Sequence, residues 1–207
     1  MTPEVYTFHE PVAGKREADE VALIELWARS WRQHGWEPKV LSQSAIPDSP
    51  SNRKLISKLR KLPSRNKPGL DLWCYMRWLA VAEQGGGFMS DYDVINYGFE
   101  PRQAGKLTIY QRWVPSMVGG TRDEFLRAVR WFSNYRVSLL DKLRRIHCSD
   151  MLIIARHLNE IVQIETCREF GDDGWEVAQL VHYSNRSMKP SGFSPRHEHI
   201  LQLRPIA

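Results

Sequence analysis

Alternation of short β-rich runs with amphipathic helices predicts an α/β fold, a central sheet flanked by helices. Three observations carry this expectation. A β-rich run, EVYTFHEP, is followed by a helical repeat and a second short apolar element, the order that starts an α/β sheet. Further on, LDLWCYMRWLAVAEQ is dense in apolar residues over about four turns and reads as a buried helix. Glycines then open onto a further strand, GFMSD. The 207 residues suit one domain with a full hydrophobic core, spanning 1–207.

In chain order, the Pro after EVYTFHE stops the first strand, and polar GKREADE follows. Val21, Ile24, Trp27, Ala28 and Trp31 recur at helical spacing over about residues 17–34, with Gly35 where a C-cap belongs. A short apolar element at 36–41 leads into SQSAIPDSPS, a loop by composition. Residues 51–69 carry seven basic residues and no acid, with Leu55, Leu59 and Leu62 marking an apolar face ended by Pro63. This stretch reads first as a solvated basic helix; any partner it binds is anionic. The buried helix holds Arg77, and a buried Arg calls for an acid or phosphate. KLTIYQRW is a strand, and GGTRDEFLRAVRWF places Thr121 and Glu124 in capping-box spacing at a helix start. Further helices are expected over 135–147 and from Ser149 or Asp150, short strands and loops over 161–183, and an irregular Pro-rich tail.

Composition narrows the class. Hydrophobic residues at 42% and charged residues at 26% fit a globular chain rather than a disordered one. No run approaches the roughly 18 apolar residues of a membrane span. MTPEVYTFHEP lacks the basic region and apolar core of an export signal, so a cytoplasmic protein is expected. Cys74, Cys148 and Cys167 are odd in number and form no C-x-x-C pair, which indicates neither a disulfide framework nor a structural zinc site. The 29 Lys and Arg against 24 Asp and Glu give a net charge of +5, compatible with an anionic partner of several kinds.

The segment that carries chemistry is GGGFMSDYDVI. Asp91 and Asp93 end a strand, where Asp is disfavoured. Residues i and i+2 of a strand share a face, and in a following turn they can also converge. Two converging carboxylates repel unless a positive group lies between them. A hard divalent ion with oxygen ligands fills that need, and Mg²⁺ or Mn²⁺ commonly takes one or two carboxylates together with substrate phosphates. The plainer reading is an exposed turn, since Asp is common in turns.

RWLAVAEQGGGFMSDYDVI resembles the donor-site signature of DXD-containing, nucleotide-sugar-dependent glycosyltransferases of the GT-A fold. In that family an Arg-aromatic helix precedes Gly-Gly-x-aromatic and the acid pair. The resemblance implies a Rossmann-like mixed central sheet flanked by helices. It also implies that Asp91 and Asp93 hold Mn²⁺ or Mg²⁺ bridging the diphosphate of a nucleotide sugar, with Arg77 and Asp91 at the donor. Members often carry an Asp three residues before the Arg, where this chain has Cys74, with Asp71 a further turn back; one extra residue, Gly87 or Ser90, lengthens the spacing. LVHYSNRSMKP resembles the segment that closes the donor site in several retaining members, which implies His182 as a metal ligand and Lys189 near the diphosphate. The first strand matches the family's base- and ribose-contacting strand, making Thr7 and His9 cofactor-binding candidates.

Other residues carry two readings each. Asp150 resembles the acid near acceptor and donor sugar, the catalytic candidate, though Ser149 or Asp150 also reads as a helix cap. Trp113, Ser116 and Gly119-Gly120 read either as a sugar-binding floor or as core and turn. His197 and His199 in RHEH read either as metal ligands or, lacking nearby partners in the sequence, as a solvated tail, the reading preferred, and Asp172-Asp173 reads mainly as a turn. The function expected is metal-dependent transfer of a sugar, most naturally from a UDP-sugar and with retention, to a glycan or other hydroxyl acceptor. The competing readings are a basic, aromatic nucleic-acid-binding module and a metal-dependent phosphoryl-transfer enzyme. The first leaves the acid pair unexplained, and the second calls for further acids nearby.

Overall fold

The computed structural model describes residues 2–11, 17–63, 70–100, 102–137, 147–188 and 195–206. Strand β1 (Glu4–Phe8) pairs in parallel with β2 (Glu37–Leu41) on one side and β3 (Gly86–Ser90) on the other. The sheet continues through β6 (Val114–Thr121), antiparallel to β3, then β5 (Thr108–Gln111), antiparallel to β6, and β7 (Val162–Gln163), parallel to β5. Among the described residues its order is β2-β1-β3-β6-β5-β7, a mixed sheet. A second, small sheet orders β4 (Val94–Asn96), β9 (Leu180–His182) and β8 (Cys167–Glu169) as β4-β9-β8.

The period-2 alternation of strand side chains divides the core between the two faces of the large sheet. Tyr6, Met89, Ile109 and Val118 pack with helices α3 (Leu70–Glu83) and α4 (Arg122–Ser133). Their neighbours Val5, Phe88, Tyr110 and Met117 pack instead with Leu23, Leu26, Trp27 and Trp31 of helix α1 (Glu17–Gln33) and with the small sheet. Helix α3 is buried on nearly all sides, which explains its continuous apolar sequence. Gly35 closes α1 with φ +79°, the left-handed conformation of a glycine C-cap. The basic segment forms helix α2 (Pro50–Leu59), where Ser49 Oγ accepts from Asn52 N at 3.1 Å and Pro50 takes the first position. Residues 64–69 of that segment lie outside the described residues. Short helices α5 (Asp150–Ile154) and α6 (Arg196–Leu203) complete the α-helices of the described residues.

Several expectations are corrected. The strand ends at Ser90, so the acid pair lies in the turn after it. The run VPSMVGGT, not foreseen as a strand, is β6 in the middle of the sheet. Gly119 and Gly120 are therefore interior rather than a sugar floor: a Cβ on Gly119 would stand 2.8 Å from the Phe88 ring. Ser116 is likewise buried, and Trp113, half-exposed, sits in the tight β5–β6 turn at φ +65°. Thr121 caps α4 by accepting from Glu124 N at 3.4 Å. The Glu124 carboxylate does not close the box; it accepts from Leu107 N at 3.0 Å. Most of the helix expected over 135–147 lies outside the described residues, and described positions 135–137 and 147 are not helical. The tail is not irregular throughout: α6 buries His199 and Ile200, so RHEH is not a solvated run.

Candidate functional site

The helix-to-strand connection that leads to the acids requires glycine. Gly85, Gly86 and Gly87 all have positive φ, and a Cβ on Gly86 would lie 2.4 Å from the backbone nitrogen of Arg122. β3 therefore leaves α3 tightly and runs through the sheet centre to Ser90. Asp91 N still donates to Ser116 O of β6 at 2.7 Å, and Val94 N donates back to Asp91 O at 3.0 Å. Asp91-Tyr92-Asp93 is thus the turn by which the chain passes from the large sheet to the small one.

Register brings the histidine to that turn. β4 and β9 pair antiparallel with Val94 opposite His182, and Tyr183 N donates to Asp93 O at 2.8 Å. His182 Nε2 lies 3.3 Å from Asp93 Oδ1. One ligand atom from each of Asp91, Asp93 and His182 falls within 4.8 Å of the others. The three residues assigned to a metal from the sequence are therefore gathered at one point.

Arg77 reaches the same point from α3. Its guanidinium pairs with the Asp91 carboxylate, and Nη2 donates to Asp150 Oδ2 at 2.7 Å and to Pro115 O at 3.0 Å. Asp150 is 4% exposed; its Oδ2 also accepts from Trp78 Nε1 at 3.1 Å, and its Oδ1 from Met151 N at 2.8 Å. Ser149, not Asp150, caps α5, accepting from Leu152 N at 3.3 Å. Arg77, Asp91, Asp93 and Asp150 all line a cleft of about 420 Å³. His9 lines it as well, 3.3 Å from Glu20, whose other oxygen accepts from the Tyr92 hydroxyl at 3.1 Å. Cys74 and Asp71 face the same cleft, Asp71 standing 3.5 Å from His147.

Thr7 is placed differently. It is 1% exposed, is not among the residues lining the cleft, and its hydroxyl meets no hydrogen-bond partner among the described residues. Lys189 lies outside the described residues.

Electrostatics follow from burial and mutual contact. Partial burial pushes the Asp91 carboxyl above the ordinary carboxylate range, against the pull of Arg77 and with a further push from Asp93. Burial raises Asp93 too, but His182 and then Arg196 overcome it and hold Asp93 down at about 2. Burial alone would discharge His182; Asp93, with Glu169 behind it, raises the imidazole instead to about 10. Burial and the nearby Asp150 push the Cys74 thiol up to about 12, so it stays protonated and is a poor nucleophile.

Three residues here were not anticipated. Arg196 of α6 donates to Asp93 Oδ2 at 3.0 Å and to Tyr183 O at 3.0 Å. Glu169 and Gln111 stand behind His182: Nδ1 lies 2.9 Å from Gln111 Oε1 and 3.2 Å from Glu169 Oε2. Glu169 is the register partner of His182 across β8 and β9, a relation visible only once the strands are paired.

The fold is shared with a solved structure described as a glycosyltransferase involved in the glycosylation of the major capsid of PBCV-1, at TM-score 0.50 and 9% identity over 95% of this chain and 98% of that one. The chain thus has a glycosyltransferase-like fold. Residues 1–107 match the family model described as Domain of unknown function (DUF8765), and the chain belongs to that family. A search of curated proteins returns no match.

Proposed function

We propose that this protein transfers a glycosyl group from a nucleoside diphosphate sugar, with UDP the expected carrier, to a hydroxyl acceptor, using a divalent cation held at Asp91, Asp93 and His182. The observation that carries the reading is the convergence of two carboxylates and an imidazole beside a cleft whose floor also presents Arg77. The donor set suits the group: two carboxylate oxygens and one imidazole nitrogen match Mn²⁺ or Mg²⁺, ions that share their sphere with substrate phosphates. A cation bound there would offset the charge that develops on the departing diphosphate.

The remaining chemistry belongs to this chain's side chains. In the transfer, the bond from the anomeric carbon to the diphosphate oxygen breaks, a bond to the acceptor oxygen forms, and the acceptor proton is released. Arg77 keeps its charge because Asp91 and Asp150 flank it against the cost of burial. It presents that charge at the acid turn, where negative charge grows in the transition state. Three donors occupy the Asp150 carboxylate, and this supports a role in orienting Arg77 rather than in accepting the acceptor proton. His9 and Tyr92, fixed by Glu20, form the wall nearest β1, where the nucleoside is expected. Retention is the expected stereochemistry, on the likeness of the His182 segment to retaining enzymes.

The test is a panel of nucleotide sugars with Mn²⁺, read by thermal shift and by release of the nucleoside diphosphate. One nucleotide should raise the unfolding midpoint in a Mn²⁺-dependent way, and Asp93→Ala should abolish that response while the protein stays folded. A wild-type protein that responds to no nucleotide sugar, or an Asp93→Ala variant that responds as fully as wild type, would refute the proposal. The anomer first formed, followed by proton NMR, decides the stereochemistry.

A further inference from the structure

We infer that Glu169 is the positioning residue that makes His182 a metal ligand, by fixing which imidazole nitrogen faces the acid pair. This rests on the metal site proposed above and assigns a role to a residue outside it. An imidazole binds a cation through the nitrogen that carries no proton, and the hydrogen bond at the other nitrogen decides which one that is. Here Nε2 faces Asp93 and Nδ1 faces Gln111 Oε1 and Glu169 Oε2. Gln111 alone does not settle the matter, because an amide offers either an acceptor or a donor according to how it is turned.

Glu169 removes that freedom. A carboxylate accepts only, and Glu169 Oε2 accepts from Gln111 Nε2 at 2.9 Å. The Gln111 amide is therefore turned with its oxygen towards His182, where the Ser116 hydroxyl also donates to it. The same Glu169 oxygen is within reach of Nδ1, and the Ser184 hydroxyl donates to the other. Every neighbour of Nδ1 in this set is an acceptor. When a cation takes the place of one imidazolium proton, the proton on Nδ1 is therefore the one kept, and the Nε2 lone pair is directed to the point shared with Asp91 and Asp93. Gln111 is 6% exposed and His182 6%, so water has little access with which to relax this order. Strand pairing supplies the placement: Glu169 lies opposite His182 in register, and Gln111 ends β5.

Neutralising Glu169 as Glu169→Gln leaves two amides in series, which can run in either direction and offer an N–H to Nδ1. Nε2 would then carry the proton, and the ligand would be lost in part of the molecules. The experiment is a Mn²⁺ titration of metal-free protein, with the free ion followed by electron paramagnetic resonance and the fold followed by circular dichroism. Glu169→Gln is expected to bind Mn²⁺ about 10–100-fold more weakly than wild type, the loss seen when such supporting partners are removed. Ser184→Ala, which takes away one donor to Glu169, should give a smaller loss and serves if Glu169→Gln fails to fold. In Mg²⁺-saturated wild type, long-range ¹H–¹⁵N spectra of the His182 ring should show the proton on Nδ1. A folded Glu169→Gln protein with wild-type affinity, a Ser184→Ala protein with unchanged affinity where Glu169→Gln does not fold, or a His182 proton on Nε2 would each overturn the role of Glu169 and leave the metal site standing. A wild type that binds neither Mn²⁺ nor Mg²⁺ overturns the metal site and this role together.

Discussion

Replacing Arg77 by Met keeps the length of the side chain and removes its charge, and the structure sets how much that costs. The Arg77 side chain is 12% exposed, and its guanidinium makes ion pairs to Asp91 and Asp150 as well as a hydrogen bond to Pro115 O. Removing it leaves Asp150, with a side chain 6% exposed, charged and short of its cation. Asp91 is 31% exposed at the side chain and can turn to water, so Asp150 dominates the loss. Breaking a buried pair by removing one partner costs about 3–5 kcal/mol. Against a total stability of about 5–15 kcal/mol this is a large fraction. With a urea slope of about 2–3 kcal/mol/M, the unfolding midpoint should fall by about 1–2.5 M. The assay is equilibrium urea denaturation at pH 7, followed by Trp fluorescence, on Arg77→Met, Asp150→Leu and the double variant. Because the double variant leaves no orphaned charge at Asp150, it should be more stable than the sum of the single losses predicts. Additive losses, or a loss below about 1 kcal/mol for Arg77→Met, would show that the network is not the charge-compensated unit described here.

Stability of the metal-free protein should depend on pH through His182. Its folded value of about 10 lies above the ordinary value of 6.5, so the protonated ring stabilises the fold fully below about pH 6.5 and that contribution is lost as pH rises towards about 10. In EDTA, the thermal midpoint should therefore decline from pH 7 to pH 10, and His182→Gln should flatten the decline; an unchanged slope in that variant would assign the effect elsewhere. Thr7→Val addresses the candidate that the cleft leaves out. Its buried hydroxyl lacks a partner among the described residues, so the isosteric change should raise stability by about 1 kcal/mol in denaturation and leave nucleotide affinity unchanged. Weakened nucleotide binding would return Thr7 to the donor site.

What could be read from the sequence is what depends on neighbours along the chain. The helical spacing of Val21 to Trp31, the all-apolar α3 and the Gly-rich entry to β3 are local patterns, and each became the element expected. VPSMVGGT escaped because Pro and two glycines argue against a strand, whereas the close approach of Phe88 demands Gly119 in the middle of one. RHEHILQL escaped because His199 supplies part of its buried face, and histidine does not register as apolar. The same division holds at the site. Arg77, Asp91 and Asp93 lie within one helix–turn–strand unit, and their meeting was foreseeable. Glu169, Gln111 and Arg196 reach it only through the β8–β9 register, the end of β5 and the return of α6, none of which a short motif encodes.

The placement of the acids in a turn rather than in a strand gives the site its charge balance. A strand would have fixed both carboxylates on one face of the large sheet, against a single packed layer. The turn instead lets Asp91 face Arg77 on α3 while Asp93 faces His182 of the small sheet and Arg196 of α6. Each acid thus has a cation from a different element, and the repulsion between them is offset without a direct bridge. Among the described residues, the ion pairs that run through the turn join four carboxylates, Asp91, Asp93, Asp150 and Glu169, to two guanidiniums and one imidazolium. The cluster therefore keeps one formal negative charge while His182 is protonated and two once that proton leaves. Two is the charge of a divalent cation, so on the proposed function the imidazolium acts as a placeholder and cation binding should release its proton. On that reading the small sheet supplies the group that gives way, while helices α3 and α5 hold Arg77 and Asp150 beside it.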